Sequence, residues 1–123
     1  MKDSKNYKVI SIYINESQKR SLEEFFERID FHTYSIQTKL EGIWGKGIRH
    51  KNNQIWPGVD CLFYLIVKDF QVESMLKKLK FFRLGIEEAV VMSVFVANLD
   101  YYFDNIQKAN IEPEGEDVEI QWE

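Results

Sequence analysis

From residue 7 to residue 14 the chain alternates with a period of two. Ile10, Ile12 and Ile14 fall on one side, Val9 and Tyr13 on the other. The β-branched and aromatic content suits a strand. Asn15 or Ser17 then offers a side-chain oxygen to cap a helix. In that helix Leu22, Phe25, Phe26 and Ile29 recur at i, i+3, i+4 and i+7, while Glu23, Glu24, Glu27 and Arg28 cover the rest. From Thr33 the period returns to two: Tyr34, Ile36, Thr38 and Leu40 alternate with Ser35, Gln37, Lys39 and Glu41. That pattern predicts a strand with one buried and one wet face. A glycine-rich, polar interruption follows, closed by the turn residues Trp56-Pro57-Gly58. Residues 60–68 then contain Cys-Leu-Phe-Tyr-Leu-Ile-Val without a polar break, a strand apolar on both faces. Residues 70–84 resume helical spacing with Val72, Met75, Leu76, Leu79 and Phe82 inward. Lys77, Lys78, Lys80 and Arg83 suit the negative end of that helix, and Gly85 suits its termination. Residues 89–97 predict a fourth strand, again apolar on both faces, and residues 99–106 a short helix or turn packing Tyr101, Tyr102 and Phe103.

The order strand, helix, strand, strand, helix, strand specifies an α+β fold. Right-handed crossovers place both helices on one face of a four-stranded antiparallel sheet, a ferredoxin-like βαββαβ sandwich. Residues 1–106 form this domain and residues 107–123 an acidic C-terminal tail. The other sheet face receives no helix, yet Val9, Tyr13 and both faces of the third and fourth strands are apolar. An uncovered apolar face of several hundred Å² is abnormal for a soluble monomer. The economical cover is a second copy of the chain; the alternative is the C-terminal segment folding back.

A length of 123 residues fits one domain. With 45% hydrophobic and 15% aromatic residues, disorder of the whole is excluded. No apolar run approaches the roughly 20 residues that span a bilayer, and the charged start has no apolar run behind it, so direct membrane insertion and a secretory signal are not expected. One cysteine, Cys61, excludes an internal disulfide framework and fits a cytoplasmic setting. The formal charge of −4 is unevenly spread: six of the 20 acids lie in the last twelve residues, which have no Lys or Arg, so residues 1–111 carry +2. Within that segment Val118, Ile120 and Trp122 alternate with polar residues. The segment reads either as a solvated end or as a tail that docks on its own body or a neighbouring subunit.

The interruption is the most informative segment. Between Glu41 and Asp60 there is no acid, while Lys46, Arg49 and Lys51 are present with His50 between them. Gly42, Gly45 and Gly47 permit close backbone approach, a setting in which N–H groups can face an anion. The same glycines would also serve an ordinary solvated hairpin connection with a bulge. Trp44 and Trp56 flank the loop, where they can pair across a hairpin stem or anchor a binding surface.

Leu40-Glu41-Gly42-Ile43-Trp44-Gly45-Lys46-Gly47, followed by Trp56-Pro57-Gly58-Val59-Asp60, resembles the PII nitrogen-regulatory superfamily, and its divergent PII-like members with a shortened loop in particular. The resemblance extends over residues 7–98 by element order and over residues 40–60 by motif. It implies a trimer of ferredoxin-like subunits packed through their sheets, with small effectors in clefts between subunits. It also implies a protruding T-loop between the second and third strands that docks on a partner protein, such as a membrane transporter. The loop has no Tyr between Gly45 and Ile55, so modification of a loop tyrosine is not expected. The family's nucleotide-binding B-loop would fall near residues 82–88, where only Gly85 is retained and Glu87 and Glu88 oppose phosphate. The family's C-terminal arginine pair is also missing. These departures argue against ATP binding of the usual type, although Arg83, Lys80 and the loop cations can form a different anion site.

Other chemistries are weakly supported. Cys61, His32 and His50 are the only soft ligands, and no zinc-type spacing joins them. Neither histidine has an evident Ser/Cys–His–Asp companion; Asp30-Phe31-His32 is a conceivable acid–base pair, better read as a helix exit. Nucleic-acid binding would call for a broad basic stripe, which the acidic tail offsets. The sequence thus points to a non-enzymatic, cytoplasmic PII-like signalling protein, a homo-oligomer taking a small anionic effector and a partner protein. Gly42, Trp44, Gly45, Lys46, Gly47, Arg49, His50, Lys51 and Trp56 are its binding residues, with no cofactor specified. The alternative is a CutA-like metal-binding trimer or a small ferredoxin-like enzyme.

Overall fold

A computed structural model describes residues 6–41 and 59–112. Its elements are β1 (Tyr7–Asn15), α1 (Lys19–Arg28), β2 (Tyr34–Glu41), β3 (Val59–Lys68), α2 (Val72–Leu84) and β4 (Met92–Asn98). Short 3-10 turns, Glu16–Gln18 and Asp69–Gln71, lead into the two helices, and a third lies at Lys108–Asn110. The strands form one sheet in the order β2-β3-β1-β4, with every neighbouring pair antiparallel. This is the βαββαβ arrangement that the hydrophobic pattern predicts.

Strand register decides which face is which. Ile10, Ile12 and Ile14 are fully buried and lie opposite Leu65, Phe63 and Cys61 on β3 and Val96, Val94 and Met92 on β4. Leu22, Phe25 and Phe26 of α1 and Met75, Leu79 and Phe82 of α2 close over these residues in one core. Phe26 is the hub: its ring lies 4.9 Å from Tyr34, 5.6 Å from Phe31 and 5.9 Å from Phe63. Phe25 and Phe82, 5.3 Å apart, join the two helices. Each such fully buried aromatic or aliphatic side chain contributes roughly 1.5–3 kcal/mol of burial free energy.

Asn15 caps the 3-10 turn that leads into α1, its Oδ1 accepting from the Ser17 N–H at 3.0 Å, whereas Gln18, at the start of α1 itself, makes no side-chain capping bond. The end of α1 does not follow the usual glycine rule. Asp30 takes the left-handed conformation at φ 62°, the Phe31 N–H donates to the Phe26 carbonyl at 2.9 Å and the Asp30 N–H to the Glu27 carbonyl at 3.1 Å. That pair of bonds is a Schellman cap, reinforced by the Phe26–Phe31 ring contact.

Three expectations need correction. Strand β2 does not alternate to its end: the register shifts between Gln37 and Leu40, so Thr38 and Lys39 together oppose Cys61, and Lys39 sits at φ 62°. This bulge turns the strand just before the loop departs. The fourth strand begins at Met92 rather than Ala89, because residues 86–90 are gathered into a loop described below. Residues 99–107 form no helix; Tyr102 packs on Tyr7 with ring centroids 4.8 Å apart, but Tyr101 is exposed.

The helix-free face carries Val9, Ser11 and Tyr13 of β1, Leu62, Tyr64 and Ile66 of β3, and Ser93, Phe95 and Ala97 of β4. Leu62 is buried, but Tyr64 is 40% and Phe95 52% exposed. The helix-free face is thus apolar but only partly uncovered in the single chain: Val9, Tyr13 and Ile66 are half-buried, Tyr102 packs on Tyr7 at its distal end, and Tyr64 and Phe95 are the large side chains left exposed.

Candidate functional site

Antiparallel register gives the sheet two functional ends. Asn15 of β1 lies opposite Asp60, Glu41 of β2 opposite Val59, and Met92 of β4 opposite Ile14. The β2–β3 connection, the entry to α1 and the exit from α2 consequently meet at this loop end. Tyr7, Lys68 and Asn98 mark the other, distal end, where α1 finishes and α2 begins.

All nine sequence-predicted binding residues, Gly42, Trp44, Gly45, Lys46, Gly47, Arg49, His50, Lys51 and Trp56, lie outside the described residues. What the structure defines is the platform from which they depart. Glu41 and Val59 are paired, so the 17-residue segment leaves and returns at adjacent positions of neighbouring strands. Beneath them Asp60 is 5% exposed, an acid buried at the foot of the loop. Glu16, in the turn after β1, accepts from the Lys39 N–H at 3.0 Å. A carboxylate thus satisfies the backbone donor that the bulge frees from the ladder, tying the entry of α1 to the end of β2.

The α2–β4 loop has its own clasp, which the sequence reading missed. Arg83 reaches from the last turn of α2 across residues 86–90: its Nη1 donates to the carbonyls of Ile86 and Glu87, each at 3.3 Å. Its Nη2 donates to those of Glu88 and Val90, each at 3.1 Å. All four terminal N–H donors of the fork are engaged, leaving only Nε–H for any other partner. Arg83 is thus a structural clamp rather than a free anion ligand, which corrects the sequence expectation for this residue. The only sequence signal was an Arg followed within seven residues by a run that breaks strand alternation. Gly85 is not conformationally required here: its φ is −91°, and an added Cβ would meet only the Phe82 carbonyl at an ordinary 3.6 Å.

The alternative chemistries separate in space. Cys61 is fully buried near the loop end, and burial, with Glu16 as the largest nearby charge, pushes its thiol up to about 11. It is a neutral packing group at ordinary pH. His32 lies near the distal end, its Nε2 2.8 Å from Asp30 Oδ1, in an exposed pair beyond α1. His50 lies outside the described residues. Among the described residues no three metal-ligating side chains cluster, and no helix is long and apolar enough to cross a membrane. A cavity of about 340 Å³ opens at the distal end between Phe31, Val67, Phe70 and Lys78, away from the loop platform.

No family model and no curated protein matches the sequence. Solved structures do match it in three dimensions. The chain is similar to Arabidopsis thaliana PII bound to citrate, with TM-score 0.57 and 12% identity over 76% of this chain and 78% of that one. The fold is that of the PII proteins. A putative PII-like signalling protein of Thermus thermophilus matches with TM-score 0.51 and 22% identity, over 76% of this chain and 86% of its own. CPII, a nitrogen-regulatory PII-like protein from Thiomonas intermedia bound to ADP, AMP and bicarbonate, matches with TM-score 0.52 and 14% identity over 79% and 96%. The same architecture occurs in a DUF3240-family protein of Shewanella baltica, with TM-score 0.62 and 10% identity over 87% and 100%. At these identities the likeness defines the fold; ligands and partners do not transfer with it.

Proposed function

We propose that this PII-fold chain is a non-enzymatic, cytoplasmic signalling protein that binds a small anionic effector and contacts a partner protein through the loop between β2 and β3. One observation carries the reading. Glu41 and Val59, the paired strand ends joined in sequence by the acid-free residues 42–58 with Lys46, Arg49 and Lys51, lie at the same sheet end as the α2–β4 loop. Citrate, adenine nucleotides and bicarbonate, found on the solved PII-fold proteins, are anions that such a segment would attract. The partly exposed face around Tyr64 and Phe95 supports assembly, with a trimer the form implied by PII resemblance; effectors would then sit between subunits, beside the loop. In this reading Gly42, Gly45 and Gly47 supply backbone freedom, Trp44 and Trp56 the stem, and His50 a further polar group. A membrane transporter is one class of partner.

Light-scattering mass should exceed that of one 14.7 kDa chain. A calorimetric screen of ADP, AMP, citrate and bicarbonate should find a saturable ligand. Replacing Lys46, Arg49 and Lys51 together with Ala should weaken binding at least tenfold and leave the mass unchanged. A monomer, or a variant that binds as well as the parent, would refute the assignment.

A further inference from the structure

Helix α2 has a second apolar stripe that its packing does not use. Met75, Leu79 and Phe82 point into the core, yet Phe70 just before the helix is 79% exposed, Phe81 70% and Leu84 83%. At 100° per residue Phe70, Ser74, Lys77, Phe81 and Leu84 share one outward stripe about 80° wide. Lys77, Lys78 and Lys80 on or beside that stripe are exposed, and none takes part in the ion pairs of the described residues. The acid Glu73 lies toward the start of the helix, so the positive potential is concentrated over its second half.

We infer that the outward stripe of α2 is the docking site for residues 113–123 of the same chain. The chemistry of the two surfaces is complementary. The segment contains Glu114, Glu116, Asp117, Glu119 and Glu123 with no base, and Val118, Ile120 and Trp122 alternate among the acids. Carboxylates would meet Lys77, Lys78 and Lys80, and the apolar residues would cover Phe81 and Leu84. Length is adequate. Tyr102 is held against Tyr7 at the distal end, on the helix-free side of the sheet, and residues 103–112 lie between it and the segment, which starts only after residue 112. Eleven extended residues span up to roughly 36–40 Å, against about 20 Å for the 13 residues of α2. A tethered segment acts at millimolar effective concentration, which favours its own chain over a neighbour's.

The test uses the full chain with Glu123→Cys carrying a nitroxide. Cys61 is fully buried with a raised thiol, so labelling is confined to the new site. The expected result is paramagnetic broadening of the amide signals of Lys77, Lys78, Phe81 and Leu84. It should be lost in the Lys77→Glu/Lys78→Glu/Lys80→Glu variant and reduced at least twofold in 0.5 M NaCl, the salt series serving if that variant does not fold. Broadening confined to Val9, Tyr13 and Phe95, no broadening at all, or salt-independent broadening would overturn the inference. So would equal broadening of isotope-labelled, nitroxide-free chains mixed with unlabelled spin-labelled ones, because that places the segment on a second copy. The outcome is independent of effector binding, so it can fail without the proposed function failing.

Discussion

Replacing Arg83 tests the clasp directly. Four terminal N–H donors hold four carbonyls at 3.1–3.3 Å, and all four acceptors lie in the loop that delays the start of β4. A hydrogen bond to a charged group contributes about 1.5–3 kcal/mol when well formed and shielded. Here the bonds are long, the guanidinium is half-exposed and carbonyls freed by its removal can turn to water, so Arg83→Ala should cost about 1–2 kcal/mol in total rather than per bond. Arg83→Lys keeps the charge and much of the stem but replaces a planar fork by one ammonium, which cannot span four carbonyls; roughly half the loss should remain. Urea denaturation at fixed protein concentration measures both values. Each 1 kcal/mol should also lower Tm by about 3–6 °C for a domain of this size. Amide exchange at Val90, whose N–H donates to the Glu87 carbonyl at 3.1 Å, should accelerate in both variants. An Arg83→Lys chain with parental stability and parental exchange would show that the fork geometry is irrelevant and the clasp mistaken.

Gly85→Ala should be neutral or stabilise by about 0.4–1 kcal/mol, because the native φ is negative and the added methyl reduces only the freedom of the unfolded chain; a loss above 1 kcal/mol in the same urea assay would contradict this. Lys39→Gly relieves a left-handed non-glycine backbone and should stabilise by up to about 1 kcal/mol, whereas Glu16→Ala should cost about 1 kcal/mol by freeing the Lys39 N–H; reversed signs would discount the bulge. Cys61 should react with iodoacetamide at pH 8 roughly 100-fold more slowly than an ordinary thiol on thiolate fraction alone, and rapidly once unfolded. Because its folded pKa is raised above the unfolded value near 9, the folded chain holds the proton longer; its contribution is complete below pH 9 and lost as pH rises toward 11. Denaturation midpoints between pH 8 and 11 should fall less steeply in Cys61→Ala than in the parent.

The core was legible because its signals are redundant. Ile10, Ile12 and Ile14 alternate cleanly, and Leu22, Phe25 and Phe26 recur at helical spacing, so period, propensity and burial agree. The corrections fall where a backbone group is satisfied by a partner that strand or helix propensity does not record. Nothing local marks Lys39 or Asp30 as left-handed; Glu16, 23 residues away, satisfies the former, and the Schellman bonds hold the latter without glycine. Residues 89–91 read as strand because Ala-Val-Val has strand propensity, but the Arg83 fork takes the Val90 carbonyl. Strand propensity does not record that these carbonyls are taken by a side chain up to seven residues upstream. Of the candidate site, the sequence located the loop between β2 and β3, and the structure supplies its paired base at Glu41 and Val59; the nine side chains lie outside the described residues.

Both surplus apolar surfaces arise from the same compositional fact. A helix that packs on only one side needs one stripe, and a sheet covered by helices on one side needs one dry face. Here α2 and the turn before it carry Phe70, Phe81 and Leu84 besides the core stripe, and β3 and β4 carry Tyr64 and Phe95 besides theirs. Exposed aromatics on opposite sides of a small domain favour indiscriminate association unless each is specifically covered. The two surfaces differ in charge: cations accompany the α2 stripe, whereas the residues around Tyr64 and Phe95 on the sheet face are neutral. A neutral apolar face suits a symmetric contact between identical copies, since no like charges are brought together. A cationic stripe does not, because pairing it with itself would bring Lys77, Lys78 and Lys80 against their own counterparts. It calls for an acidic occupant, and the chain contains one.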